Sequence, residues 1–239
     1  MTRSSQHLFP PDPPASLTDQ AEIVRNDWAA FSSLDTLANH WARPAWPDGA
    51  RAYYWLLPLG GVPELRIQAR ACQEALASVS DLDPVPGELL HLTLYRVGGA
   101  STVTEEQLAG IARAAARRLE SIEPIHLFIG PLAGSAGAIR YSVAPWNRLV
   151  GLRDELVAAT NSVLGGASNS GWRPHVSIAY NARLRAASPL VDSIHELRRQ
   201  PLMEVTVTEI ELVTLARTGR VYQWTTMHRL TLVDQLGHQ

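Results

Sequence analysis

The chain has 239 residues, of which 46% are hydrophobic and 18% charged, and its formal net charge is −2 at pH 7. This length suits one large domain or two small lobes with a sizeable core, and the near-neutral charge argues against holding long duplex nucleic acid through phosphate neutralisation alone. All 21 strongly basic residues are arginine, which excludes Schiff-base chemistry, a P-loop lysine and the lysyl-nucleotide intermediate of an ATP-dependent ligase.

Other features of the composition narrow the cellular setting. The single cysteine, Cys72, excludes an intramolecular disulfide and a cysteine-based zinc site. Residues 1–16 are polar and proline-rich, without the apolar core of a signal peptide. No apolar run approaches the ~18 residues that span a bilayer. We therefore expect a cytoplasmic protein with no membrane association, and a monomer.

Four segments follow one another along the chain. Residues 1–16 are predicted to be an extended or disordered arm, because their prolines fit neither a helix interior nor a sheet ladder. Residues 17–50 are predicted to be an N-terminal helical extension: five apolar residues recur at three- and four-residue steps from Leu17 to about Trp41, namely Trp28, Phe31, Leu34, Leu37 and Trp41. This helix is expected to cap the main domain over 51–233, and 234–239 form a tail.

Strands and helices alternate through the main domain. The predicted strands cover 51–59, 88–97, 125–129, 138–143, 172–180, 204–216 and 221–233, and the predicted helices cover 63–79, 104–120, 146–164 and 189–199. Cys72 lies in the apolar stripe of the helix over 63–79, so its thiol is predicted to be a buried core group. The interleaving favours an α/β or α+β sheet with helices outside.

Two of the predicted strands share one pattern, in His91-Leu92-Thr93-Leu94 and His175-Val176-Ser177-Ile178. Because side chains alternate across a strand, each histidine shares a face with the hydroxyl residue two positions on, while the apolar residues face the core. About one His-x-Ser/Thr is expected by chance, so the repetition between apolar flanks is the informative part. His126 has similar flanks but no hydroxyl residue after it, and is interpreted as a structural histidine.

A pair of histidines is suited to acid–base work on a phosphodiester. An imidazole with a pKa near ~6.5 can accept a proton from the attacking oxygen while a second imidazolium gives one to the leaving oxygen. Each hydroxyl can hold a phosphate oxygen at the same face. This arrangement requires no cofactor and no metal.

Three rival motifs fail on their residues. His195-Glu196 begins like a zincin helix, but Arg199 stands where the second histidine is needed. Gly134-Ser135-Ala136-Gly137 is not a G-x-S-x-G nucleophile elbow, since its serine directly follows the glycine. The glycines near 60, 98 and 165 do not make the G-x-G-x-x-G of a dinucleotide-binding loop.

The paired motifs resemble the signature of the 2H phosphoesterase superfamily, and Trp172-Arg173-Pro174 followed by the second motif resembles bacterial 2′-5′ RNA ligase family proteins. The resemblance, over about residues 50–233, implies a bilobal α+β fold in which two antiparallel sheets form a central cleft with one motif on each side. It further implies His91 and His175 as the acid–base pair and Thr93 and Ser177 as phosphate-binding residues.

Neighbouring residues extend the predicted site. Tyr95 should continue the face of His91 and Thr93, where its ring can stack on a base or its phenol reach the phosphate. Trp172 and Arg173 are predicted to border the mouth of the cleft, with an edge aromatic and a solvated charge as the alternative. Arg96 is predicted on the opposite face from His91, and Arg140 is a weaker candidate.

The leading hypothesis is a metal-independent phosphodiesterase that opens the 2′,3′-cyclic phosphate of a nucleotide or short RNA end to a 2′-phosphate, with 2′-5′ ligation only as the reverse reaction. In this scheme His91 protonates the leaving oxygen and His175 activates water, and the pH profile is bell-shaped with limbs near neutrality. One alternative is a phosphodiesterase for another cyclic nucleotide, oligonucleotide or small cyclic phosphate. The other is a nucleotide- or RNA-binding module without turnover.

Overall fold

The structure, a computed structural model, describes residues 12–42, 46–166 and 172–232. These ranges contain five α-helices: α1 (Gln20–Ser32), α2 (Pro63–Ala75), α3 (Glu105–Leu119), α4 (Trp146–Leu164) and α5 (Ser188–Leu197). They also contain eleven strands: β1 (Thr36–Leu37), β2 (Arg51–Pro58), β3 (Leu82–Pro84), β4 (His91–Gly99), β5 (Ile125–Ser135), β6 (Ala138–Ala144), β7 (His175–Asn181), β8 (Arg185–Ala186), β9 (Met203–Val207), β10 (Glu209–Thr218) and β11 (Val221–Thr231).

Two antiparallel sheets make up the body of the protein. One has the strand order β11-β10-β2-β4, and the other has the order β3-β7-β6-β5-β9. Apolar residues of both sheets join those of α2, α3, α4 and α5 in one core cluster. Helix α3 packs on α4, and α4 in turn contacts β4. The predicted α+β class with two antiparallel sheets is confirmed.

Helix α1 packs across the second sheet, against β5 and β6. It begins where the Asp19 carboxylate accepts hydrogen bonds from the backbone N–H groups of Ala21 and Glu22, an N-cap that satisfies two unpaired donors. Its contact with β5 is close, because a Cβ placed on Gly134 would lie 2.2 Å from the Phe31 ring. Only a glycine fits beneath that ring without rearrangement.

The helix predicted from Leu17 to Trp41 is too long. After Ser32 the chain becomes extended, and β1 pairs with β8. The apolar spacing continues past the helix because Leu37 and Trp41 are buried as well, Trp41 through ring contacts to Tyr180 and Tyr222. Periodicity in the sequence therefore did not distinguish the helix from a strand that is also buried. Residues 1–11 of the arm predicted over 1–16, and the whole of the tail predicted over 234–239, lie outside the described residues.

Smaller differences concern element ends. The strand predicted over 125–129 continues to Ser135, and a register shift between Ile129 and Leu132 accommodates Pro131, which lacks an N–H for the ladder. The strand β3 was not predicted. Cys72 is buried, as predicted, and its Sγ lies 3.5 Å from the Tyr141 hydroxyl oxygen. Among the described residues, no helix is long and apolar enough to cross a membrane.

Candidate active site

The two motif strands meet where the two sheets adjoin. Strand β4 is the edge strand of the four-stranded sheet, β7 is the second strand of the five-stranded sheet, and the two strands contact each other. His91 is the first residue of β4 and His175 is the first residue of β7. The structure thus brings the two sequence motifs, 84 residues apart in the chain, to equivalent positions on adjoining strands.

Both imidazole rings are held in the same way. Nδ1 of His91 lies 2.8 Å from the carbonyl oxygen of Leu89, and Nδ1 of His175 lies 2.8 Å from that of Arg173. A carbonyl oxygen only accepts hydrogen bonds, so Nδ1 carries the proton in each neutral ring. Nε2 is then the nitrogen that gains or loses the second proton, which is the behaviour required of an acid–base group.

Strand β4 carries a β-bulge directly after its hydroxyl residue. Its register changes from Thr93 opposite Leu56 to Tyr95 opposite Trp55, so Leu94 is the extra residue. A bulge inserts one residue on one strand and reverses the alternation beyond it. Thr93, which precedes the bulge, stays on the face of His91.

Strand β7 has a bulge at the equivalent place. Its register changes from Ser177 opposite Arg140 to Ala179 opposite Ile139, so Ile178 is the extra residue. Ser177 consequently lies on the face of His175, as Thr93 lies on that of His91. Two histidine–hydroxyl pairs, each followed by a bulge, therefore recur in the two halves of the site.

The bulge at Leu94 overturns the prediction that Tyr95 continues the face of His91. Directly paired residues share a face, and Tyr95 pairs with Trp55, which is fully buried in the core. The Tyr95 ring is buried and lies 5.9 Å from the Arg153 guanidinium. Arg96, predicted on the opposite face, is brought onto the face of His91 and is exposed.

Trp172 is half-buried and joins the segment leading into β7 to strand β4. Its indole N–H donates a hydrogen bond of 2.8 Å to the backbone carbonyl of Thr93. The guanidinium of Arg153 lies 5.3 Å from the centre of its ring, a cation–π geometry. Trp172 therefore lies beside the candidate site, but its polar atom contacts protein backbone.

Arg173 does not border the mouth of the cleft. Its side chain is buried, and its Nη1 forms an ion pair of 2.8 Å with Oδ1 of Asp27 in α1. Its Nη2 donates to the backbone carbonyl of Asp12. The burial arises because α1 covers this part of the second sheet, which neither the motif nor its spacing indicated.

Asp27 also binds Arg140, the fully buried residue opposite Ser177. The Arg140 guanidinium donates to both carboxylate oxygens of Asp27, at 3.0 and 3.3 Å. Although burial alone would raise the pKa of Asp27, the charges and hydrogen bonds of the arginines hold it below its usual value. One carboxylate thus joins two arginines beside the second motif.

Burial lowers the pKa of both histidines. For His91, burial outweighs the opposing hydrogen bond to the Leu89 carbonyl. For His175, burial and then the positive charge of Arg140 lower the pKa to about 4. In the ligand-free protein His175 is therefore neutral at pH 7, the state required of a general base.

The face of the first sheet that carries His91 and Thr93 contributes further side chains to the site, which the motifs did not predict. The Trp224 ring in β11 lies 5.1 Å from that of His91, nearly perpendicular to it. Glu211 in β10 pairs with Leu56 and so shares the face of Thr93; it accepts hydrogen bonds from Thr226 and Arg229. The alternation Tyr222, Trp224, Thr226 was visible in the sequence, but only the strand register shows that this face adjoins His91.

The hairpin of β10 and β11 reaches across to the second sheet. The Tyr222 hydroxyl lies 2.9 Å from Nε2 of His40, and the His40 ring stacks on that of Tyr180 at 4.0 Å. At the tip, Arg220 lies 3.6 Å from the Asp83 carboxylate. These contacts close one end of the site, beside His91.

Comparisons with known proteins identify the family of the chain. The profile of the 2′-5′ RNA ligase superfamily matches residues 62–219. The chain belongs to this superfamily. No curated protein sequence matches the chain. The matched residues include both histidine motifs and the whole of strands β4 and β7.

Solved structures share the fold at low sequence identity. TT0787 of Thermus thermophilus is 18% identical, with a TM-score of 0.59 over 77% of this chain and 99% of that one. Apo LigT of E. coli is 18% identical, with a TM-score of 0.58 over 78% and 100%. The MHV ns2 PDE domain is 12% identical, with a TM-score of 0.50 over 70% and 99%. The resemblance to 2H phosphoesterases is thereby confirmed at the level of the fold.

Proposed function

We propose that the protein is a metal-independent phosphodiesterase that opens the 2′,3′-cyclic phosphate of a nucleotide or short RNA end, leaving a 2′-phosphate. The observation that carries this proposal is the matched pair of histidine–hydroxyl motifs on adjoining strands, each with its Nδ1 proton committed to a backbone carbonyl. Two equivalent acid–base groups at one place suit an in-line displacement at phosphorus, where one oxygen attacks and another leaves.

The two histidines are assigned different roles because the positive charge of Arg140 disfavours the protonated form of His175. Neutral His175 accepts a proton at Nε2 from the attacking water as the new P–O bond forms. Protonated His91 gives its Nε2 proton to O3′ as the P–O3′ bond breaks, so the phosphate remains on O2′. The hydroxyl groups of Thr93 and Ser177 donate hydrogen bonds to non-bridging phosphate oxygens. The negative charge of a bound phosphodiester favours the protonated form of His91 and so opposes the effect of burial on its pKa.

The solved relatives support a nucleotide substrate. LigT of E. coli has been crystallised with 3′-AMP and with phosphate. A site built from two imidazoles and two hydroxyls fits the same chemistry, because hydroxyls donate to phosphate oxygens without adding charge. The near-neutral chain also suits a small ligand better than a long nucleic acid.

The test is turnover of nucleoside 2′,3′-cyclic phosphates, with the position of the product phosphate assigned by ³¹P NMR. His91→Ala and His175→Ala are each expected to lower kcat by about 10²- to 10⁴-fold, the usual contribution of an acid–base group. His126→Ala is the matched control, since this exposed strand histidine has Thr206 as its side-chain partner within the part of the chain that the structure describes, and it should keep wild-type turnover. EDTA should leave the rate unchanged.

Several outcomes would contradict this proposal. Loss of activity in EDTA would end the metal-free mechanism, and a 3′-phosphate product would reverse the assigned leaving group. Turnover confined to other cyclic phosphates would change the substrate class, and tight nucleotide binding without turnover would indicate a binding module.

The pH profile should differ from the one that the sequence predicted. Because His175 has a pKa of about 4, the acidic limb of kcat/KM is expected well below neutrality, not near it.

A further inference from the structure

The two halves of the candidate site have the same backbone but different charges. In the first half, Leu89 supplies the carbonyl that holds His91, and Leu56 lies opposite Thr93. In the second half, both equivalent positions are arginine: Arg173 supplies the carbonyl that holds His175, and Arg140 lies opposite Ser177. The second motif therefore has two buried cations where the first has two leucines.

The carboxylate that joins these arginines comes from outside the matched family segment. Asp27 belongs to α1, which precedes residues 62–219. It is fully buried and lies 3.0 Å from Nη2 of Arg140 and 2.8 Å from Nη1 of Arg173. With one negative and two positive charges, the Asp27–Arg140–Arg173 cluster keeps a net positive charge beside His175.

We propose that Asp27 is a positioning residue for the second motif. Asp27 fixes Arg140 and Arg173 beside His175, and thereby gives His175 a more positive environment than His91 has. The inference rests on the proposed function for its catalytic consequence, although the protonation of His175 can be measured without it. The ion pair with Arg173 anchors the residue whose carbonyl holds the His175 ring. The ion pair with Arg140 fixes a positive charge on the His175 face.

The charged groups around His175 belong to β6, β4, α1 and the segment leading into β7. Arg140 of β6 and His91 of β4 disfavour its protonated form, whereas Asp27 of α1 favours it. Arg173, in the segment leading into β7, adds a second cation bonded to the same carboxylate. Removing the Asp27 anion and removing the Arg140 cation should therefore have opposite effects on the protonation of His175.

The test follows His175 by NMR titration of its imidazole signals in the ligand-free protein. Asp27→Asn should move the midpoint of His175 to lower pH, and Arg140→Gln should move it to higher pH. Each shift should be about one pH unit, the effect of a unit charge over roughly 10 Å at an effective dielectric constant of about 20. The double variant Asp27→Asn/Arg140→Gln keeps the wild-type net charge and should titrate near the wild-type midpoint.

A purely structural role for Asp27 predicts a different pattern. Unchanged midpoints, or shifts of both single variants in the same direction, would overturn the proposal. If Asp27→Asn fails to fold because two arginines lose their anion, Arg140→Gln and the double variant still test the sign. If the two single variants shift the His175 midpoint in opposite directions but the protein shows no turnover, the inference stands and the proposed activity is rejected. If the protein shows turnover but the midpoints do not shift, the proposed activity stands and the inference is rejected.

Discussion

The hydrogen bond from Trp172 to Thr93 gives the sharpest test of how the two motif strands are held together. Trp172→Phe removes the 2.8 Å bond to the Thr93 carbonyl but keeps an aromatic ring against Arg153. A lost hydrogen bond at a half-buried site costs about 1 kcal/mol, so the variant should fold with slightly lowered stability. Since the bond joins β4 to the segment leading into β7, its loss should relax the spacing between His91 and His175.

The expected effect on catalysis is larger than the effect on stability. A displacement of about 1 Å in a catalytic group can cost about 100-fold in rate, so kcat for a 2′,3′-cyclic nucleotide should fall about 10- to 100-fold. Steady-state kinetics and urea denaturation of the same preparations measure the two effects. Trp146→Phe is the matched control, because its indole also donates to a backbone carbonyl, that of Val143, at 2.7 Å.

The contrast between the two variants decides the interpretation. Trp146→Phe should lose at least as much stability, since its bond is fully buried, but should keep kcat near that of the wild type. The reasoning is refuted if Trp172→Phe keeps more than half of the wild-type kcat. It is equally refuted if Trp146→Phe loses kcat to the same extent.

Two further predictions concern stability. Gly134→Ala should lower the free energy of unfolding by about 1–3 kcal/mol, because its Cβ would overlap the Phe31 ring. The control is Gly151→Ala in helix α4, whose Cβ would meet nothing within 4 Å and which should be neutral or stabilising by up to about 1 kcal/mol. Equal urea midpoints for the two variants would contradict the packing of α1 on β5. The pKa of both histidines is lower in the folded protein than the ordinary value of 6.5, so the unfolded chain binds more protons and stability should fall as the pH drops from about 6.5 towards about 4. His175→Gln should lose less stability than the wild type over that window, and an equal loss in both proteins would show that His175 is not the group responsible.

The sequence predicted most of the elements because each has a local signal. Apolar periodicity located the helices from α2 to α5, and the alternating pattern located β11. The single strand predicted over 204–216 is two strands, β9 and β10, which belong to different sheets. The motif pairs predicted which strands adjoin the site, since a histidine and a hydroxyl two residues apart share a strand face until a bulge intervenes. Nothing in Leu92-Thr93-Leu94-Tyr95 announces the bulge, which depends on pairing with β2, so the orientation of Tyr95 and Arg96 was predicted wrongly.

Long-range pairing explains the other errors. Arg173 looked like a surface charge because its partner, Asp27, lies 146 residues earlier, in a helix whose face could be predicted but whose packing site could not. Trp224 reaches His91 only through the register of three successive strand pairs, β11–β10, β10–β2 and β2–β4. In both cases the missing information was tertiary, and composition or spacing in a single sequence does not carry it.

The absence of lysine also determines which kind of positive charge lies beside His175. A buried lysine readily loses its proton, whereas the pKa of arginine, even lowered by burial, keeps the guanidinium charged. The positive charges that arginines supply beside His175 therefore impose a constant bias on the imidazole. Arginine also offers several N–H donors in a plane, which lets Arg140 bind both oxygens of Asp27 while Arg173 shares one of them. A lysine at either position would supply a charge but not this two-arginine bridge, and the difference between the two otherwise equivalent histidines would depend on pH.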